Sequence, residues 1–373
     1  MKIVHIINSL NHGGAEKNLY NICKTDFKNQ HIVISLTGGG YYENLLKNLG
    51  IEVYNINLKK NFFLFFKIIK IIYNLKPVVI QSWMYIADLV ASLIILFTFK
   101  KNIVWNIRHS DLNPNIEKKH TILTAKILSK LSHFLPYKII VCAQRALDEH
   151  KKIGYNQNKM NYIPNGCDLK IFYPQKNSKQ KLCNEFNLNS RYSLLGSVGR
   201  YHPYKDLPNL IKALNIIKSK GILFNFLLVG HKNDKKNSEL INMIKSFDLD
   251  DCILLMGSRT DIPYIMSCLD LYIQSSSSEA FPNVLIEAMA CGTPCVATDV
   301  GDTKNIIGET GWIVKPENPE FLAMGIEKAI IETTKLNWDK ICLNTQKRIS
   351  EKFSLESMIN SYSKIWEELK NKN

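Results

Sequence analysis

Short apolar runs of strand length alternate with segments of helical period along most of the chain, and they form two successive series. Such alternation predicts parallel sheets covered by helices on both faces. The first series contains runs at residues 2–7, 31–36, 51–56, 77–82, 102–107 and 138–143. The second begins near residue 193 and continues at 224–230, 252–257, 269–276, 293–299 and 311–315. We therefore predict an α/β protein with two doubly wound, Rossmann-like units.

The length of the chain agrees with two domains, because 373 residues exceed the size at which one hydrophobic core stops growing. The stretch 173–190 is polar and aperiodic, which predicts a linker. We place the first domain at 1–175 and the second at 190–354. The tail is amphipathic and helical, and we expect residues 355–373 to pack back on the first domain.

The positive charge of the chain is confined to its first half. Residues 1–185 hold 26 Lys and Arg against 11 Asp and Glu, whereas residues 186–373 hold 22 of each kind. The formal net charge of +15 therefore lies entirely on the first half. This asymmetry predicts a polyanionic partner there, and the two candidates are nucleic acid and an anionic membrane leaflet.

The cysteines indicate a reducing compartment, and the apolar segments indicate neither a secretory signal nor a membrane-spanning helix. The nine cysteines are scattered and odd in number, which is not the pattern of a disulfide framework. Cys291 and Cys295 have no second pair nearby for zinc, so they are interpreted as small buried side chains. The opening "MKIVHIINSL" is typical of a first strand and not of a secretory signal. The apolar stretch Leu89 to Phe99 is too short to span a bilayer.

Three loops that follow strands carry candidate chemistry, since ligands of open α/β sheets bind beyond the strand carboxyl ends. The first loop, "NSLNHGGAEKNL", follows the first strand. Gly13 and Gly14 would let the backbone approach a ligand closely, and the helix that begins at Ala15 would attract an anion. The alternative is a plain tight turn, and this stretch alone does not decide between the two.

The second loop lies in "SVGRYHPYKDLPNLIKAL" at residues 197–214. Gly199 ends a strand, Arg200 and Lys205 lie in the loop, and a helix begins near Pro208. Two cations beside a helix amino end suit a diphosphate. The alternative is a pair of solvated surface cations, which is the usual state of Lys and Arg.

The third loop opens "SSSSEAFPNVLIEAMACGTPCVATDVG" at residues 275–301. Pro282 is placed as a first-turn helix residue, where its missing N–H costs nothing. Unpaired donors at this positive helix end would be the amides of Asn283, Val284 and Leu285. Glu279 lies just outside the helix, and Glu287 lies one and a half turns inside it. A nucleotide sugar across this end would place its phosphates on the amides, with Glu287 on the ribose and Glu279 on the sugar. Ordinary helix capping by acids is the alternative, and spacing alone does not separate the two.

Together these stretches resemble family 4 of the retaining glycosyltransferases, whose two-domain fold is called GT-B. The second half matches almost throughout and in order, whereas the first half matches mainly at the glycine loop and at the "PNG" junction. The matching stretches are "GGAE" (13–16), "IPNGCD" (163–168), "VGRYHPYKD" (198–206), "LLVG" (227–230), the run from 256 to 301, and "TGWIVKP" (310–316). The resemblance implies two Rossmann-like domains facing across a cleft and a hexosyltransferase that uses a nucleotide-diphosphate sugar. The first domain, 1–175, would bind the acceptor, and the second, 190–354, would bind the nucleotide sugar.

The resemblance also implies roles for individual residues. Glu279 and Glu287 are similar to the E-x7-E pair of the family, in which the second glutamate holds the ribose and the first lies by the donor sugar. Arg200 and Lys205 resemble its diphosphate cations. Gly14 would close over the phosphates from the other domain. The implied catalytic residues are Glu279, Arg200, Lys205 and His109. The implied substrate-binding residues are Gly13, Gly14, Arg259, Thr260, Ala280, Phe281, Pro282, Asn283, Val284, Leu285, Glu287 and Asn165.

Some of these assignments are less specific. Arg259 and Thr260 fall where such enzymes hold the base, largely through backbone. His109, in "IRHSD", could be the first-domain histidine near the sugar, although a histidine after a strand is more often a local hydrogen-bonding residue. Ala280 stands where the family usually has glycine, which tightens the loop slightly. Asn165 belongs to the "PNG" junction.

The mechanism implied by the resemblance needs neither metal nor cofactor. Its main task is to stabilise the charge on a departing nucleoside diphosphate, and Arg200, Lys205 and the amides after Pro282 would do this. "DLDD" (248–251) has the lettering of a metal-binding D-x-D, but it precedes a strand and is interpreted as a solvated turn. With retention of configuration, the departing phosphate oxygen takes the acceptor proton, and we expect no covalent glycosyl-enzyme. UDP is favoured over GDP by family frequency alone.

Residues 57–77, "NLKKNFFLFFKIIKIIYNLKP", predict a basic amphipathic helix on a membrane surface. Its apolar residues are Phe62, Phe63, Phe65, Phe66, Ile69 and Ile72, and its basic residues are Lys59, Lys60, Lys67, Lys70 and Lys76. The alternative is a helix packed on its own sheet with lysines pointing outward. We expect peripheral docking on the inner face of the cytoplasmic membrane. The acceptor would then be a lipid-linked saccharide or lipopolysaccharide core, as in surface polysaccharide biosynthesis.

Rival functions remain open at this point. A nucleotide-sugar epimerase of the same fold would act without an acceptor, and a sugar phosphorylase would require phosphate or pyridoxal phosphate. A basic nucleic-acid-binding protein is a more remote alternative, because no aromatic-basic stacking motif supports it.

Overall fold

The computed structural model describes residues 1–61, 63–98, 102–109, 112 and 118–372. The chain divides into two compact units. The first unit consists of Met1–Gly166 together with Leu355–Asn373, and the second unit is Cys167–Ser354. The helical tail therefore belongs to the first unit.

The first unit contains a parallel sheet of seven strands. They are β1 Lys2–Ile7, β2 Gln30–Ser35, β3 Glu52–Asn55, β4 Val79–Trp83, β5 Ile103–Ile107, β6 Lys138–Val141 and β7 Met160–Tyr162, in the order β3-β2-β1-β4-β5-β6-β7. Each of the six predicted runs overlaps one strand. The seventh strand, β7, was not predicted, because three half-buried residues carry too short a pattern.

Helices cover both faces of this sheet, as the alternation predicted. They are α1 Gly14–Thr25, α2 Tyr41–Asn48, α3 Leu64–Leu75, α4 Met84–Thr98, α5 Lys119–Leu131 and α6 Gln144–Lys152. Because β1 and β4 are neighbours, the chain leaves them toward opposite edges of the sheet. This pair of strands is the topological switch point of the unit, where open α/β sheets bind ligands.

The second unit contains a six-stranded parallel sheet, so the predicted fold class of two Rossmann-like α/β units is confirmed. Its strands are β8 Ser193–Val198, β9 Phe224–Val229, β10 Ile253–Gly257, β11 Leu271–Gln274, β12 Cys295–Thr298 and β13 Trp312–Val314, in the order β10-β9-β8-β11-β12-β13. The helices are α7 Ser178–Glu185, α8 Leu207–Ser219, α9 Ser238–Ser246, α10 Ile262–Cys268, α11 Asn283–Ala290, α12 Thr303–Ile307, α13 Pro319–Thr333 and α14 Trp338–Lys352. Here the switch point lies between β8 and β11.

The last helix, α15 Leu355–Lys370, is amphipathic as predicted and fills the core of the first unit. Tyr362 and Trp366 are fully buried. The Trp366 indole N–H donates to the Gln81 side-chain oxygen at 3.1 Å, which ties the helix to β4.

The predicted linker at 173–190 was wrong, because its middle forms helix α7. This helix packs on α10 of the second unit. The Ser178 hydroxyl donates to the Ser267 carbonyl at 2.7 Å, and Lys179 Nζ lies 2.6 Å from Asp270 Oδ2. Only Leu182 and Cys183 are buried along with Ser178, so the helix carries too few apolar residues to reveal a period in the sequence.

The basic segment 57–77 also differs from its prediction. Its helix, α3, begins at Leu64, and its inner face packs Phe65, Ile68 and Ile72 into the first unit. Phe65 and Ile72 are therefore not available to lipid, contrary to the prediction. Phe63 and Phe66 remain exposed. Phe62, which was grouped with them, lies outside the described residues.

Two further observations concern disulfides and membrane spans. None of the nine cysteines forms a disulfide, and all nine belong to the described part of the chain. Cys291 and Cys295 are buried, as expected of small core side chains. Among the described residues, no helix has the length and apolar character needed to cross a bilayer.

Candidate active site

The second unit brings two of the candidate loops together at its switch point. β8 and β11 are hydrogen-bonded neighbours, so the loop that begins at Gly199 and the loop that begins at Ser275 leave the same sheet edge. The Ser277 amide donates to the Tyr204 carbonyl at 2.9 Å, and the Ser275 hydroxyl donates to the Lys205 carbonyl at 2.7 Å. Residues that are about 70 positions apart in the sequence therefore form one site.

An ion pair joins the two loops. Lys205 Nζ lies 2.6 Å from Glu279 Oε1, and this oxygen also accepts a hydrogen bond from the Ser276 hydroxyl at 3.0 Å. The side chains of Lys205 and Glu279 are 24% and 18% exposed, so solvent reaches both. Arg200 is exposed, and it lines a small cavity together with Lys205. The site thus holds two cations, one of which is paired with a carboxylate.

Helix α11 begins one residue later than Pro282, which has extended backbone and acts as the N-cap. Leu285 is the third helical residue. Its amide donates to the carbonyl of the N-cap, Pro282, at 3.1 Å, and so has a partner within the first turn. The prediction that the Leu285 amide is an unpaired donor was therefore wrong. Glu287 lies within α11, and its residue surface is buried, with 6% exposed. Phe281 is also buried, and its ring packs 5.9 Å from the Phe353 ring.

Two glycines fix the backbone of these loops. Gly301 has φ +54°, and a Cβ there would lie 2.3 Å from the Glu279 carbonyl oxygen. The close approach continues at the next residue, where the Asp302 amide donates to the Ala280 carbonyl at 3.0 Å. Gly230 has φ +136°, and a Cβ there would lie 1.9 Å from the Gly199 carbonyl oxygen. Only glycine combines these conformations with such contacts.

Arg259 does not present a free guanidinium. It makes a two-pronged contact with Asp261, with Nε 2.8 Å from Oδ1 and Nη2 2.6 Å from Oδ2. The bond from Arg259 lowers the pKa of the Asp261 carboxyl, so the pair is charged at neutral pH. Thr260 between them is exposed. A contact from this loop to a base would therefore come from backbone groups or from Thr260, which stays a prediction.

The candidate residues of the first unit lie at the ends of β1, β5 and β7. Gly13 is the N-cap of α1, and Gly14 is its first residue. A Cβ on Gly13 would lie 2.2 Å from Glu16 Oε2, so a side chain there would displace Glu16. Glu16 accepts a bond from the Ser9 hydroxyl at 3.3 Å, and burial raises the pKa of its carboxyl.

Asn165 is buried, and its amide oxygen accepts a hydrogen bond from Arg108. The Arg108 side chain also bonds the Tyr362 hydroxyl at 2.6 Å and lies 4.9 Å from the centre of the Trp83 ring. Asn165 thus holds an arginine in place, and a direct contact from Asn165 to substrate stays a prediction. His109, next to Arg108, packs edge-on against Tyr85 with ring centres 6.1 Å apart.

The sequence interpretation missed the residues that surround His109. A cavity of about 260 Å³ lies beside it, lined by Asn8 after β1, by Met84, Tyr85 and Ile86 at the start of α4, and by His120, Thr121 and Thr124 of α5. No motif marks these positions. For Asn8 and for residues 84–86, the position directly after β1 or β4 was the available signal.

One group of metal-ligating side chains occurs in the described part of the first unit, formed by His5, Cys23 and His31. The Trp83 indole N–H donates to His5 Nδ1 at 3.2 Å, so the proton of His5 is on Nε2. That proton is donated to His31 Nδ1 at 2.9 Å, and His31 Nε2 then faces Asp26 at 3.2 Å. Burial raises the pKa of the Cys23 thiol. The ring lone pairs are thus already used in hydrogen bonds, which does not suit a metal.

The "DLDD" turn at 248–251 precedes β10 and so lies at the amino ends of the strands, whereas the loops described above follow the carboxyl ends. Lys218 Nζ lies 2.8 Å from Asp251 Oδ1 and 3.5 Å from Asp248 Oδ2. Both aspartates are well exposed, as a solvated turn requires.

Comparison with known proteins finds a family match in the second unit. Residues 178–351, which make up most of the second unit, match the model of the family described as glycosyl transferases group 1. The capsular polysaccharide biosynthesis glycosyltransferase CapM of Staphylococcus aureus is 26% identical over 314 residues, which cover 80% of each chain.

A second relative is the UDP-Gal:alpha-D-GlcNAc-diphosphoundecaprenol alpha-1,3-galactosyltransferase of Escherichia coli. It is 27% identical over 164 residues, covering 42% of this chain and 41% of the relative. Among solved structures, Anabaena HepE in complex with UDP superposes with a TM-score of 0.86 at 23% identity, covering 98% of this chain and 99% of HepE. HepE in complex with UDP-glucose superposes with a TM-score of 0.84. This likeness extends over both units and identifies the fold.

Proposed function

The chain belongs to the group 1 glycosyltransferases of the GT-B fold, and we propose that it moves a hexose or N-acetylhexosamine from a UDP-sugar to a membrane-linked saccharide, with retention of configuration. The observation that carries this proposal is the convergence of Arg200, Lys205 and Glu279 with the start of α11 at the switch point of the second unit. Cations and a helix amino end together bind a diphosphate, and a carboxylate beside them binds sugar hydroxyls.

The choice of UDP is supported by HepE, whose structures contain UDP and UDP-glucose. The donor diphosphate would lie against Arg200, Lys205 and the first amides of α11. Glu287, which is buried inside α11, is the residue we assign to the ribose hydroxyls. Glu279 is assigned to the transferred sugar, and the 259–260 loop to the base.

The reaction then needs charge stabilisation more than a covalent nucleophile. The bond between sugar C1 and the phosphate oxygen breaks, and UDP leaves with the bonding electrons. The acceptor oxygen bonds to C1 on the same face, and its proton passes to the departing phosphate oxygen. Lys205 and Arg200 neutralise the growing charge at the moment of bond breaking. These two cations and the helix end supply the stabilisation, so we propose that the enzyme needs neither a metal nor another cofactor.

The membrane-linked acceptor is supported by the surface of α3, α4 and α5, which are neighbours in the first unit. Nine large apolar side chains are exposed on these helices or beside them: Phe63, Phe66, Tyr73, Ile86, Leu93, Leu96, Phe97, Leu123 and Ile127. Exposed lysines accompany them at positions 59, 60, 67, 70, 118, 119, 126 and 130. Helices α3 and α5 carry no acidic residue, and Asp88 of α4 is buried.

An apolar surface that is rimmed by lysines, and whose described helices expose no acidic side chain, is complementary to an anionic leaflet. We therefore propose that the first unit docks on the inner face of the cytoplasmic membrane. The E. coli relative, as its name states, acts on a diphosphoundecaprenol-linked sugar. A lipid-linked saccharide or lipopolysaccharide core suits such docking, in the biosynthesis of surface polysaccharide.

Thermal unfolding with nucleotides tests the donor assignment. UDP should raise the melting temperature more than GDP does, and the increase should be smaller in Lys205→Ala. Radiolabelled UDP-sugars should then be hydrolysed slowly in water alone, and with a lipid-linked acceptor the label should pass faster to that acceptor, with or without EDTA.

Stabilisation by GDP alone would reverse the choice of base, and loss of turnover in EDTA would overturn the metal-free mechanism. Conversion of a UDP-sugar without any acceptor into an isomer would point to an epimerase. Dependence of turnover on phosphate would point to a phosphorylase.

A further inference from the structure

The cavity in the first unit lies at the switch point of its own sheet. Asn8 follows β1, and Met84, Tyr85 and Ile86 begin the helix after β4, the neighbouring strand that continues toward the opposite edge. Ligands of open α/β sheets bind at this position. Asn8 lines the cavity, and its buried Oδ1 has no hydrogen-bond partner among the described residues.

Met84 has a strained backbone. Its φ is +69°, in the left-handed region that a side chain with a Cβ rarely occupies. This conformation costs about 1 to 2 kcal/mol for a residue other than glycine, and it persists only where the surroundings impose it. Glycine at this position would remove the cost. The presence of methionine therefore suggests that its side chain has a role.

Both neighbours of Met84 are held by buried hydrogen bonds. The Trp83 indole N–H donates to His5 Nδ1 at 3.2 Å. The Tyr85 hydroxyl lies 2.6 Å from His150 Nε2, and His150 Nδ1 lies 2.6 Å from the Ala146 carbonyl. Because a carbonyl can only accept, His150 carries its proton on Nδ1 and accepts the Tyr85 hydroxyl at Nε2. Met84 therefore lies between two residues whose side chains are anchored in the core, and it lines the cavity.

The cavity suits one sugar ring. Its volume of about 260 Å³ lies just below the range of roughly 300 to 1,000 Å³ typical of pockets for larger ligands. A sugar ring has apolar C–H faces and hydroxyl edges. Met84 and Ile86 provide an apolar wall, whereas Asn8, His109 and Thr124 provide polar groups.

We propose that this cavity binds the sugar of the acceptor that receives the new linkage, and that Met84, fixed by Trp83 and Tyr85, determines which sugar is accepted. The inference rests on the proposed transferase function and names its acceptor determinant. Met84 acts by shape, since it packs against the core cluster that contains Trp83 and forms part of the cavity wall that one face of the sugar would meet.

The test uses direct binding, which does not require turnover. Saturation-transfer NMR with the full chain and UDP would measure binding of the octyl glycosides of glucose, galactose, N-acetylglucosamine and N-acetylgalactosamine. We expect the wild type to bind one or two of the four. Met84→Gly and Met84→Ala should weaken the preferred glycoside about tenfold and flatten the preference. The melting temperature of Met84→Gly should equal or exceed that of Met84→Ala, because glycine removes the strain.

Asn187→Gly is the matched control, since Asn187 is exposed in the second unit and has φ +52°. It removes a left-handed side chain without touching the cavity, so glycoside binding should not change. Tyr85→Phe, which removes the anchor to His150, should shift the preference in the same direction as the Met84 variants. The UDP-induced rise in melting temperature should persist in all of these variants.

Two results would overturn the inference: no glycoside binding by the wild type, or Met84 variants with wild-type binding order. A wild type that shows neither UDP stabilisation nor donor turnover would instead contradict the proposed function, so the two failures are distinguishable.

Discussion

Lys205 Nζ and Glu279 Oε1 lie 2.6 Å apart, on loops that follow two adjacent strands of the second unit. The pair brings together a cation assigned to the diphosphate and a carboxylate assigned to the sugar. A diphosphate that enters this site competes with Glu279 for Lys205. Binding of donor would thus release the carboxylate toward the sugar hydroxyls at the same time as it occupies the lysine.

Replacing either partner should have different effects on donor binding and on turnover. Lys205→Ala removes a cation that stabilises the departing diphosphate, so kcat should fall by roughly 10² to 10³ and UDP should bind more weakly. Glu279→Gln removes a competitor for Lys205, so UDP should bind as well as or better than in the wild type while kcat falls. Steady-state kinetics together with calorimetric titration of UDP would separate these effects.

The matched control is Lys179→Ala, which breaks another ion pair of the same unit. Lys179 and Asp270 lie 2.6 Å apart and have similar exposure, 31% and 21%. Loss of this pair should lower stability slightly and leave kcat and UDP affinity unchanged. Equal losses of kcat in Lys179→Ala and Lys205→Ala would show that the Lys205 effect is structural.

Gly230 offers a test of loop geometry. An alanine there would combine an unfavourable φ of +136° with a Cβ 1.9 Å from the Gly199 carbonyl oxygen. Gly230→Ala should therefore reduce the free energy of unfolding by roughly 3 kcal/mol and weaken UDP binding, because Gly199 leads into Arg200. Urea unfolding and UDP titration would measure the two quantities.

Gly221→Ala is the control for conformation alone. Its φ is +75°, but a Cβ there meets no atom within 4 Å. It should cost about 1 kcal/mol and leave UDP binding intact. A Gly230→Ala protein no less stable than Gly221→Ala would contradict the packing of the two loops.

The strands and the two candidate loops of the second unit could be predicted from sequence because their signals are local. A continuous apolar run predicts a buried strand, and Pro282 predicts the start of a helix within one residue. The ion pair of Lys205 with Glu279 was not predictable in this way. It depends on β8 and β11 being neighbours, which no local pattern of residues 74 positions apart encodes.

Two other outcomes follow from the same limit. The apolar residues of α3 were treated as one set, although Phe65, Ile68 and Ile72 recur at helical spacing and pack inward. Which face of a helix meets its own sheet depends on the neighbouring helix, here α4. Met84 was missed because its positive φ is not encoded by the neighbouring residue types, and the histidines that bond Trp83 and Tyr85 lie far away in the sequence.

His150 predicts a dependence of stability on pH. Burial lowers its pKa to about 4, whereas an unfolded histidine titrates near 6.5. The folded state thus keeps His150 neutral, and this contribution is present above pH ~6.5 and is lost as the pH falls toward 4. At pH ~5 the loss should be about 2 kcal/mol relative to pH ~7.5.

The measurement compares urea unfolding of the wild type and His150→Gln at the two pH values, so that other titrating groups cancel in the difference. The variant should lose less stability between them than the wild type loses. His133→Gln, which changes an exposed histidine of the same unit, should follow the wild type. An unchanged pH dependence in His150→Gln would mean that His150 does not titrate on unfolding as described.

Docking of the first unit on a membrane can be tested through its lysines. Replacing Lys59, Lys60, Lys67 and Lys70 by glutamine should weaken binding to vesicles that contain phosphatidylglycerol at least tenfold, since each surface lysine contributes about 1 kcal/mol on an anionic leaflet. Added salt should weaken vesicle binding by the wild type toward the level of the variant.

The exposed phenylalanines and a second set of lysines separate charge from insertion. Phe63→Ser with Phe66→Ser should weaken binding at low and high salt alike, because exposed phenylalanines insert without charge. Glutamine at Lys181, Lys235, Lys236 and Lys340, all exposed in the second unit, makes the same charge change and should leave binding intact. Equal losses in the two lysine sets would reduce the effect to net charge, and no loss in the first set would refute docking through this surface.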